Sequence, residues 1–455
     1  MRRNSSVTAV LLAVMSMALL AGAPAGAAPG GPPPHGQRVE VFAEDGGISR
    51  ADVSPASPYL ADRPAALAGD GAVTPIAGDG TIATKLDVVV IGDGYTAGEQ
   101  EKFRADAAAK WAEISAVEPY ATYRGLFNVW AVQAVSAQSG ITGDPDRSTV
   151  RDTALGSYFW CDDIERLLCV DVKAVERYAA KAPQADLVLV VANTAKYGGA
   201  GYNDVSSPLG YEGIATVAGG NSRSGQIAVH ETGHSLGKLA DEYFYDGQGG
   251  YVGEEPAEAN ISTLTADRMG AGRAKWYRWL GRTSPDGGTV GAYLGGGYYP
   301  EGLLRPTENS IMRSLGREFN LPGREAMIAG FYRHATPLTS SVPAGRPLDP
   351  SGRITVELPV PGTTLRWYAD GRELVGLRGR TTVALDAVDL AAPALAAPAL
   401  AAPALAAPAA GTGPVAAPRG IGHRLTAVAA DPTPAVVDPA LRPALTGTLS
   451  WWVIG

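Results

Sequence analysis

Histidine, cysteine and net positive charge are all scarce in this chain of 455 residues. Only five histidines and two cysteines are present, so a structural metal site rich in cysteine is disfavoured. Acidic residues outnumber basic ones by 46 to 38, which gives a formal net charge of -8. Such an acidic surface argues against nucleic acid or an anionic membrane as a partner.

Long apolar runs are also lacking beyond the N-terminus. After residues 7–20, no segment approaches the roughly 18 apolar residues that a membrane span needs, so we expect no transmembrane anchor. Arg2 and Arg3 precede that first run, and Ala25-Gly26-Ala27 follow it as a cleavage site. This pattern predicts a signal peptide over residues 1–27 and a secreted protein. Loss of the two arginines changes the formal charge from -8 to -10.

One segment places two histidines and an acid at the spacing of a helical metal site. His230 and His234 are four residues apart, so on a helix both rings face the same metal ion. Glu231 is rotated by about 100°, which places its carboxylate beside the metal as a general base for water. The segment matches the H-E-x-x-H zinc signature and predicts one catalytic zinc ion. A structural zinc site or an inactive relative is the alternative interpretation.

The third metal ligand is less certain from the sequence. Gly237 is expected to end the helix in a left-handed conformation and to turn the chain back beneath the metal. Metzincin-type sites carry a histidine three residues later, where this chain has Ala240. Asp241 is the preferred ligand and Glu242 the second choice, since both carboxylates can bind zinc. A thermolysin-like layout would instead use an acid from a separate helix, for which the chain offers Glu254, Glu255 and Glu258.

A later segment, residues 309–313, reads Asn-Ser-Ile-Met-Arg and is interpreted as a Met-turn containing Met312. With this segment the chain resembles the secreted IgA-peptidase-type zinc metallopeptidases, a metzincin-like group. The resemblance implies that His230, His234 and Asp241 hold zinc and that Glu231 is the general base. Ser310 departs from the cysteine expected before the Met-turn. The resemblance spans about residues 80–340 and rests on residues 86–96, 127–130, 136–140, 186–193, 230–243, 305–306 and 311–313.

The function predicted from these features is a secreted zinc-dependent endopeptidase that hydrolyses peptide bonds of extracellular proteins. Donors for the tetrahedral oxyanion are sought among Tyr243, Tyr298 and Tyr299. Cys161 and Cys169 are expected to form a disulfide in an oxidising compartment, and the chain is expected to be a monomer. The alternative is a catalytically inert secreted protein that binds a protein or glycan through the same folds. The presence of Glu231 counts against that alternative.

The predicted fold is an α/β, mixed-sheet, metzincin-like core followed by a small all-β Ig-like sandwich. Residues 28–79 form a Pro/Gly-rich N-terminal segment with possible strands, residues 80–343 the zinc metallopeptidase domain and residues 344–455 the Ig-like domain. A Leu-Ala-Ala-Pro-Ala repeat makes residues 390–418 a disordered insert.

Local patterns give the elements of the core. Buried strands are predicted at 86–91, 127–135, 187–192 and 214–217. Thr96 and Glu99 form a capping box that opens a helix to about Val117. The Gly-rich segment 197–202 is predicted to be a flexible loop whose glycines allow a substrate backbone to approach.

Overall fold

Continuous apolar runs form the centre of a mixed eight-stranded sheet. Strands β4 (Leu86–Asp93), β5 (Phe127–Val132) and β6 (Leu187–Ala192) are buried along their whole length. Runs without alternation are typical of strands that are covered on both faces. The computed structural model describes residues 36–61, 67–388 and 422–454, all within one compact unit.

Five further strands complete this sheet, in the order β2-β1-β7-β8-β6-β4-β5-β3. The central strands β5, β4, β6 and β8 run parallel, whereas β7, β1 and β2 on one side and β3 on the other are antiparallel to their neighbours. The N-terminal segment, in which strands were only possible, therefore supplies three strands. The five are β1 (Gln37–Phe42), β2 (Ile48–Val53), β3 (Val73–Ala77), β7 (Gly199–Ser206) and β8 (Glu212–Ala218).

Helices cover the sheet and connect its strands. The capping box of Thr96 and Glu99 is confirmed and opens a short 3-10 turn before the first α-helix, which ends at Ile114 rather than Val117. Phe103, a buried residue of that helix, packs into the main core. The helices are α1 (Gln100–Ile114), α2 (Tyr120–Tyr123), α3 (Val172–Ala179), α4 (Gly225–Ser235), α5 (Ala266–Gly272) and α6 (Leu321–His334).

The C-terminal region contains two small sheets around a core of their own. One has the order β11-β13-β16 and the other β12-β18-β17-β14-β15, after a separate hairpin of β9 and β10. Trp367 and Trp451 stack in their shared core with ring centroids 6.2 Å apart. The strands are β9 (Tyr293–Gly296), β10 (Tyr299–Arg305), β11 (Thr339–Ser340), β12 (Pro347–Leu348), β13 (Arg353–Glu357), β14 (Thr364–Ala369), β15 (Arg372–Glu373), β16 (Thr382–Ala384), β17 (Gly422–Ala430) and β18 (Thr446–Ile454).

Buried hydrogen bonds join this C-terminal region to the core. Asp431 accepts hydrogen bonds from the hydroxyls of Tyr123 and Tyr332, at 2.7 and 3.0 Å. Glu325 of α6 accepts two more from the backbone N–H groups of Val437 and Asp438, at 2.6 and 2.7 Å. Helix α6 therefore packs against both the core and the C-terminal sheets.

The predicted disulfide between Cys161 and Cys169 is confirmed. None of the helices within residues 36–61, 67–388 and 422–454 is long and apolar enough to cross a bilayer. The predicted signal peptide and the Ala/Pro repeat insert lie outside the described residues.

Candidate metal centre

Helix α4 carries both histidines of the H-E-x-x-H segment on one face. Its apolar residues Ile227, Ala228 and Val229 are buried in the core. One turn of helix separates His230 from His234, whose ring centroids lie 4.9 Å apart. Packing of the helix against the sheet therefore fixes the direction of both imidazoles.

The chain turns back beneath α4 at Lys238, not at Gly237 as the sequence suggested. Lys238 has the left-handed backbone, with φ of 50°, and its N–H donates to the carbonyl of His234 at 3.1 Å. Gly237 is needed for a different reason: a Cβ there would lie 2.7 Å from the carbonyl oxygen of Gly233. The turn brings Asp241 back to the histidines.

Three ligand atoms converge at the end of this turn. His230 Nε2 and His234 Nε2 are 3.2 Å apart, and each lies 3.4 Å from Asp241 Oδ1. Ligands about 2.0–2.1 Å from a tetrahedral zinc ion are about 3.3 Å apart, so this triangle has the size that zinc requires. Within the described residues, these three and Glu40 form the one group with metal-ligand geometry, all four atoms within 4.8 Å of one another.

Hydrogen bonds at the other ring nitrogens leave both Nε2 atoms available. His230 Nδ1 lies 2.8 Å from the carbonyl of Ile311, and His234 Nδ1 lies 2.7 Å from the carbonyl of Leu239. A carbonyl oxygen only accepts, so each Nδ1 carries the proton and each Nε2 can present a lone pair to a metal.

Charge and burial also suit a cation at this point. Asp241 Oδ1 and both carboxylate oxygens of Glu231 are buried without a hydrogen-bond partner. Such orphaned oxygens are costly unless a cation or water satisfies them. Burial, reinforced by the neighbouring charge of Glu40, raises the pKa of Glu231 to about 8. Both oxygens of the Glu231 carboxylate therefore remain free to accept a proton or a hydrogen bond beside this cluster.

A comparison with known proteins agrees with this geometry. The family model described as IgA Peptidase M64 matches residues 74–288 and 282–331, more than half of the chain. The chain belongs to the IgA peptidase M64 family. No curated protein matches the sequence. Membership makes the protein a peptidase. Of the four residues that could hold a metal ion, His230, His234 and Asp241 lie within the matched range and Glu40 lies outside it.

In this M64 peptidase Met312 lies directly beneath the metal-binding helix. A Cβ on Gly233 would come within 2.5 Å of Met312 Sδ, so the thioether is packed against the backbone between the two histidines. The preceding residue, Ile311, supplies the carbonyl that orients His230. The segment interpreted as a Met-turn therefore supports the base of the site.

The two candidate ligands next to each other in sequence face different surroundings. Asp241 faces the histidines, whereas the Glu242 carboxylate accepts hydrogen bonds from Asn260, Ser310 and Asn320 at 3.0, 2.7 and 2.8 Å. Burial raises the pKa of Glu242 to about 7 despite these donors. Glu242 thus connects the loop that contains Asp241 to Ser310, in the segment before Met312.

The acids of the alternative layout lie outside the metal cluster. Glu255 accepts hydrogen bonds from Ser262 and Thr263, and Lys275 lies 3.3 Å from its carboxylate. Glu258 lines a neighbouring cleft, and the hydroxyl of Tyr251 donates to the backbone carbonyl of Glu254. The structure therefore does not bring these three carboxylates to His230 and His234.

Two of the three candidate tyrosines reach the site. The hydroxyl of Tyr298 donates to Asp241 Oδ2, and Tyr243 donates to Glu40 Oε1 at 3.0 Å. Tyr298 adopts a left-handed backbone, with φ of 76°, a conformation that is costly for an aromatic residue. Tyr299 packs edge-on against Tyr251, with ring centroids 5.3 Å apart.

Glu40 and Arg50 were missed by the sequence analysis. Glu40 Oε2 lies 2.8 Å from His230 Nε2, and Arg50 lies over the ring of Tyr298 with its Cζ 3.7 Å from the centroid. Glu40 is the one charged residue within the apolar run 39–42 of β1. An acid in an apolar strand was the signal in the sequence that could have identified it as a site residue. No local pattern connects it with a histidine 190 residues away.

The Gly-rich segment is a strand, so its prediction as a flexible loop is wrong. Residues 199–206 form β7, paired with β8 and β1. A Cβ on Gly199 would lie 2.4 Å from the carbonyl of Thr216, and one on Gly201 would lie 1.7 Å from the Glu231 carboxylate. A side chain at position 199 would therefore collide with the backbone of β8, and one at position 201 would displace the end of the Glu231 side chain on α4.

Proposed function

We propose that this M64 peptidase is a secreted zinc endopeptidase that cleaves extracellular proteins. The observation that carries the proposal is the triangle of His230 Nε2, His234 Nε2 and Asp241 Oδ1, with distances of 3.2, 3.4 and 3.4 Å, beside the unpartnered carboxylate of Glu231. Donors of this type and spacing favour zinc over calcium or magnesium, which prefer six or more oxygen ligands.

His230, His234 and Asp241 would hold the ion, and Glu231 would move the proton. A zinc ion bound there would act as a Lewis acid: it would polarise a peptide carbonyl and lower the pKa of a bound water toward neutrality. Glu231 accepts the proton of the attacking water at its carboxylate and returns it to the leaving amine. The backbone of Gly201 lies directly against that carboxylate and would keep it beside the reacting atoms.

Tyr243 and Tyr298 have different proposed roles. Tyr298 donates its hydroxyl proton to Asp241, so it orients the ligand and is not free to bind an oxyanion. The hydroxyl of Tyr243 reaches Glu40, next to the metal position, and is the better placed donor for a developing oxyanion.

A cleft of about 340 Å³ opens beside His234 and is the proposed site for a substrate side chain. Glu212 and Lys238 form an ion pair within it. The cleft is lined by Asn203, Glu212, Ser235, Lys238, Leu239, Ala257 and Glu258. Glu212, Lys238 and Glu258 offer charged contacts to a substrate side chain in this cleft.

The remaining assignments are parts of the same proposal. We assign a metzincin-like core to residues 80–343 and an Ig-like sandwich to residues 344–455, supported by the two C-terminal sheets around one core. Secretion through a signal peptide at residues 1–27 is supported by the disulfide. The protein is proposed to act as a monomer on proteins or peptides, and immunoglobulin is not assigned as its substrate.

Purified protein should bind about one zinc ion per chain, because one cluster of donors has the required geometry within the described residues. Metal analysis after dialysis measures the stoichiometry, and profiling with a peptide library measures cleavage. Removal of zinc with a chelator should abolish cleavage, and added zinc should restore it. Stoichiometric zinc that has no effect on cleavage would point to a structural site.

Replacement of Gly201 with alanine should lower kcat without loss of zinc. The new Cβ would occupy the place of the Glu231 carboxylate, which must move by an ångström or more, and such a displacement costs about 100-fold in rate. Gly98→Ala is the control, since nothing lies within 4 Å of a Cβ at that position. An unaltered kcat in Gly201→Ala would show that the position of Glu231 is not important.

A further inference from the structure

Strand β1 lies between the edge strand β2 and β7, at the side of the sheet near the metal centre. It pairs antiparallel with β7, and Glu40 is the partner of Gly201, whose backbone in turn lies against Glu231. Without the β1–β2 hairpin, β7 would be the edge of the large sheet. Extended peptides bind such edges by adding a strand, so β1 occupies the place that a polypeptide substrate would need.

The side chain of Glu40 closes the metal site from the same strand. It is 2% exposed, and its Oε2 lies 2.8 Å from His230 Nε2 and 3.7 Å from His234 Nε2. Catalytic zinc has three protein ligands and keeps its fourth position for water, whereas four protein ligands are typical of closed structural sites. With Glu40 in place, the cluster offers four protein ligand atoms to a metal ion. This carboxylate would then take the position that a bound water needs.

Glu40 also engages the proposed oxyanion donor. Tyr243 donates its hydroxyl proton to Glu40 Oε1 at 3.0 Å. A single side chain thus blocks the water position and uses the Tyr243 hydroxyl, while its backbone covers the edge of β7. Loss of the carboxylate alone would free the water position and the Tyr243 hydroxyl, whereas the edge of β7 becomes available only when β1 leaves.

Polar contacts hold the hairpin on the site. Arg50 of β2 lies 3.8 Å from Asp241 Oδ2 and stacks on Tyr298, and Glu44 at the turn pairs with Arg223 at 2.9 Å. The family match begins at residue 74, so the hairpin is not part of the matched peptidase region. The hairpin also packs through apolar side chains: Phe42 lies in the main core, and Val39 and Val41 lie in the second core.

We propose that the β1–β2 hairpin, residues 37–53, is an autoinhibitory segment of this peptidase. The chain is latent in the conformation described, with Glu40 on the metal position and β1 in place of substrate. Displacement of the hairpin opens the fourth coordination position and the edge of β7. The inference rests on the proposed zinc peptidase function.

Binding of acetohydroxamate to the zinc-loaded full-length chain tests this inference, because that small chelator needs the open coordination position. Its apparent affinity is the intrinsic affinity multiplied by the fraction of open chains. The apparent affinity for a site that is closed nine-tenths of the time therefore rises about 10-fold when the site opens fully. We expect Glu40→Ala to bind at least about 10-fold more tightly than the native chain in calorimetry, with Glu40→Gln in between. Hydrolysis of a short peptide should rise in the same order.

Asp52→Ala is the matched control, because Asp52 is an exposed acid on the same hairpin whose carboxylate lies 3.4 Å from Arg38 and not at the metal cluster. It should leave hydroxamate binding unchanged. If Glu40→Ala is too unstable to measure, Glu40→Gln carries the comparison, since it keeps the side-chain volume.

Three outcomes would overturn the inference in different ways. Zinc binding that weakens by about 100-fold in Glu40→Ala, with no gain in hydroxamate affinity, would make Glu40 a resident ligand. A native chain that binds no zinc would remove the proposed function and this inference with it. Intact zinc binding with unchanged hydroxamate affinity would overturn the inference alone.

Discussion

Glu231→Ala should lower kcat for peptide cleavage by about 10²- to 10⁴-fold, the contribution typical of a positioned general base. Zinc should remain bound, because Glu231 lies beside the ligand triangle and is not part of the metal cluster. Steady-state kinetics with a cleavable peptide, together with metal analysis of the same preparation, measure both quantities.

Glu101→Ala is the control for that measurement. Glu101 is an acid on α1 whose side chain is 88% exposed, so its loss should not alter kcat. Retention of most of the activity by Glu231→Ala would remove the proposed base. Activity that is equally absent from the native chain and the variant would support the inert binding protein considered from the sequence.

Asp241→Ala should weaken zinc binding by at least about 100-fold. Loss of a residue that merely supports a metal ligand already costs about 10- to 100-fold, and here a ligand is removed. The two remaining histidines form an incomplete site, with Nε2 atoms 3.2 Å apart. Zinc bound to the folded state raises the melting temperature, so the variant should also lose most of that increase. Competition with a chromogenic chelator and thermal melts with and without zinc provide the measurements.

The neighbouring Glu242→Ala variant separates ligation from folding. Its carboxylate binds Asn260, Ser310 and Asn320 rather than the metal, so its loss should leave three buried donors unpaired and cost about 3 kcal/mol of stability. Zinc affinity of the chains that remain folded should fall much less than in Asp241→Ala. Asp246→Ala, an exposed acid of the same segment, is the control. The reverse ranking of zinc affinities would assign the ligand to Glu242.

Latency would change how these variants are interpreted. If the hairpin closes the site, native kcat is low because few chains are open, and the effect of Glu231→Ala is best measured in the Glu40→Ala background. There the open fraction is the same in both chains, so the comparison reports the proton transfer alone. Rates in the two backgrounds should then show the same ratio for Glu231→Ala.

The part of the site that lies on one helical turn could be predicted from the sequence. Glu231 and His234 follow His230 by one and four residues, and helical geometry alone fixes their relative directions. The buried strands near 86–91 and 187–192 were likewise predicted correctly, since a run of apolar residues is a local property. Position along the chain was sufficient for these features.

Other features depended on contacts between distant segments. The choice between Asp241 and Glu242 follows from the turn at Lys238 and from the partners of Glu242, two of which lie about 70 to 80 residues later. The Gly-rich segment became a strand because β8 and β1 supply hydrogen bonds on both sides. Neither β8 nor β1 can be recognised from the glycines themselves.

The sequence by itself determined the relative directions of His230, Glu231 and His234, because their spacing places them within about one turn of helix. The tertiary structure alone decided which side chains from distant parts of the chain reach these residues. Strand β1 brings Glu40 to His230 across 190 residues of sequence, at 2.8 Å. That approach results from the order of strands in the sheet, which is set by packing and pairing over the whole core rather than by any local preference.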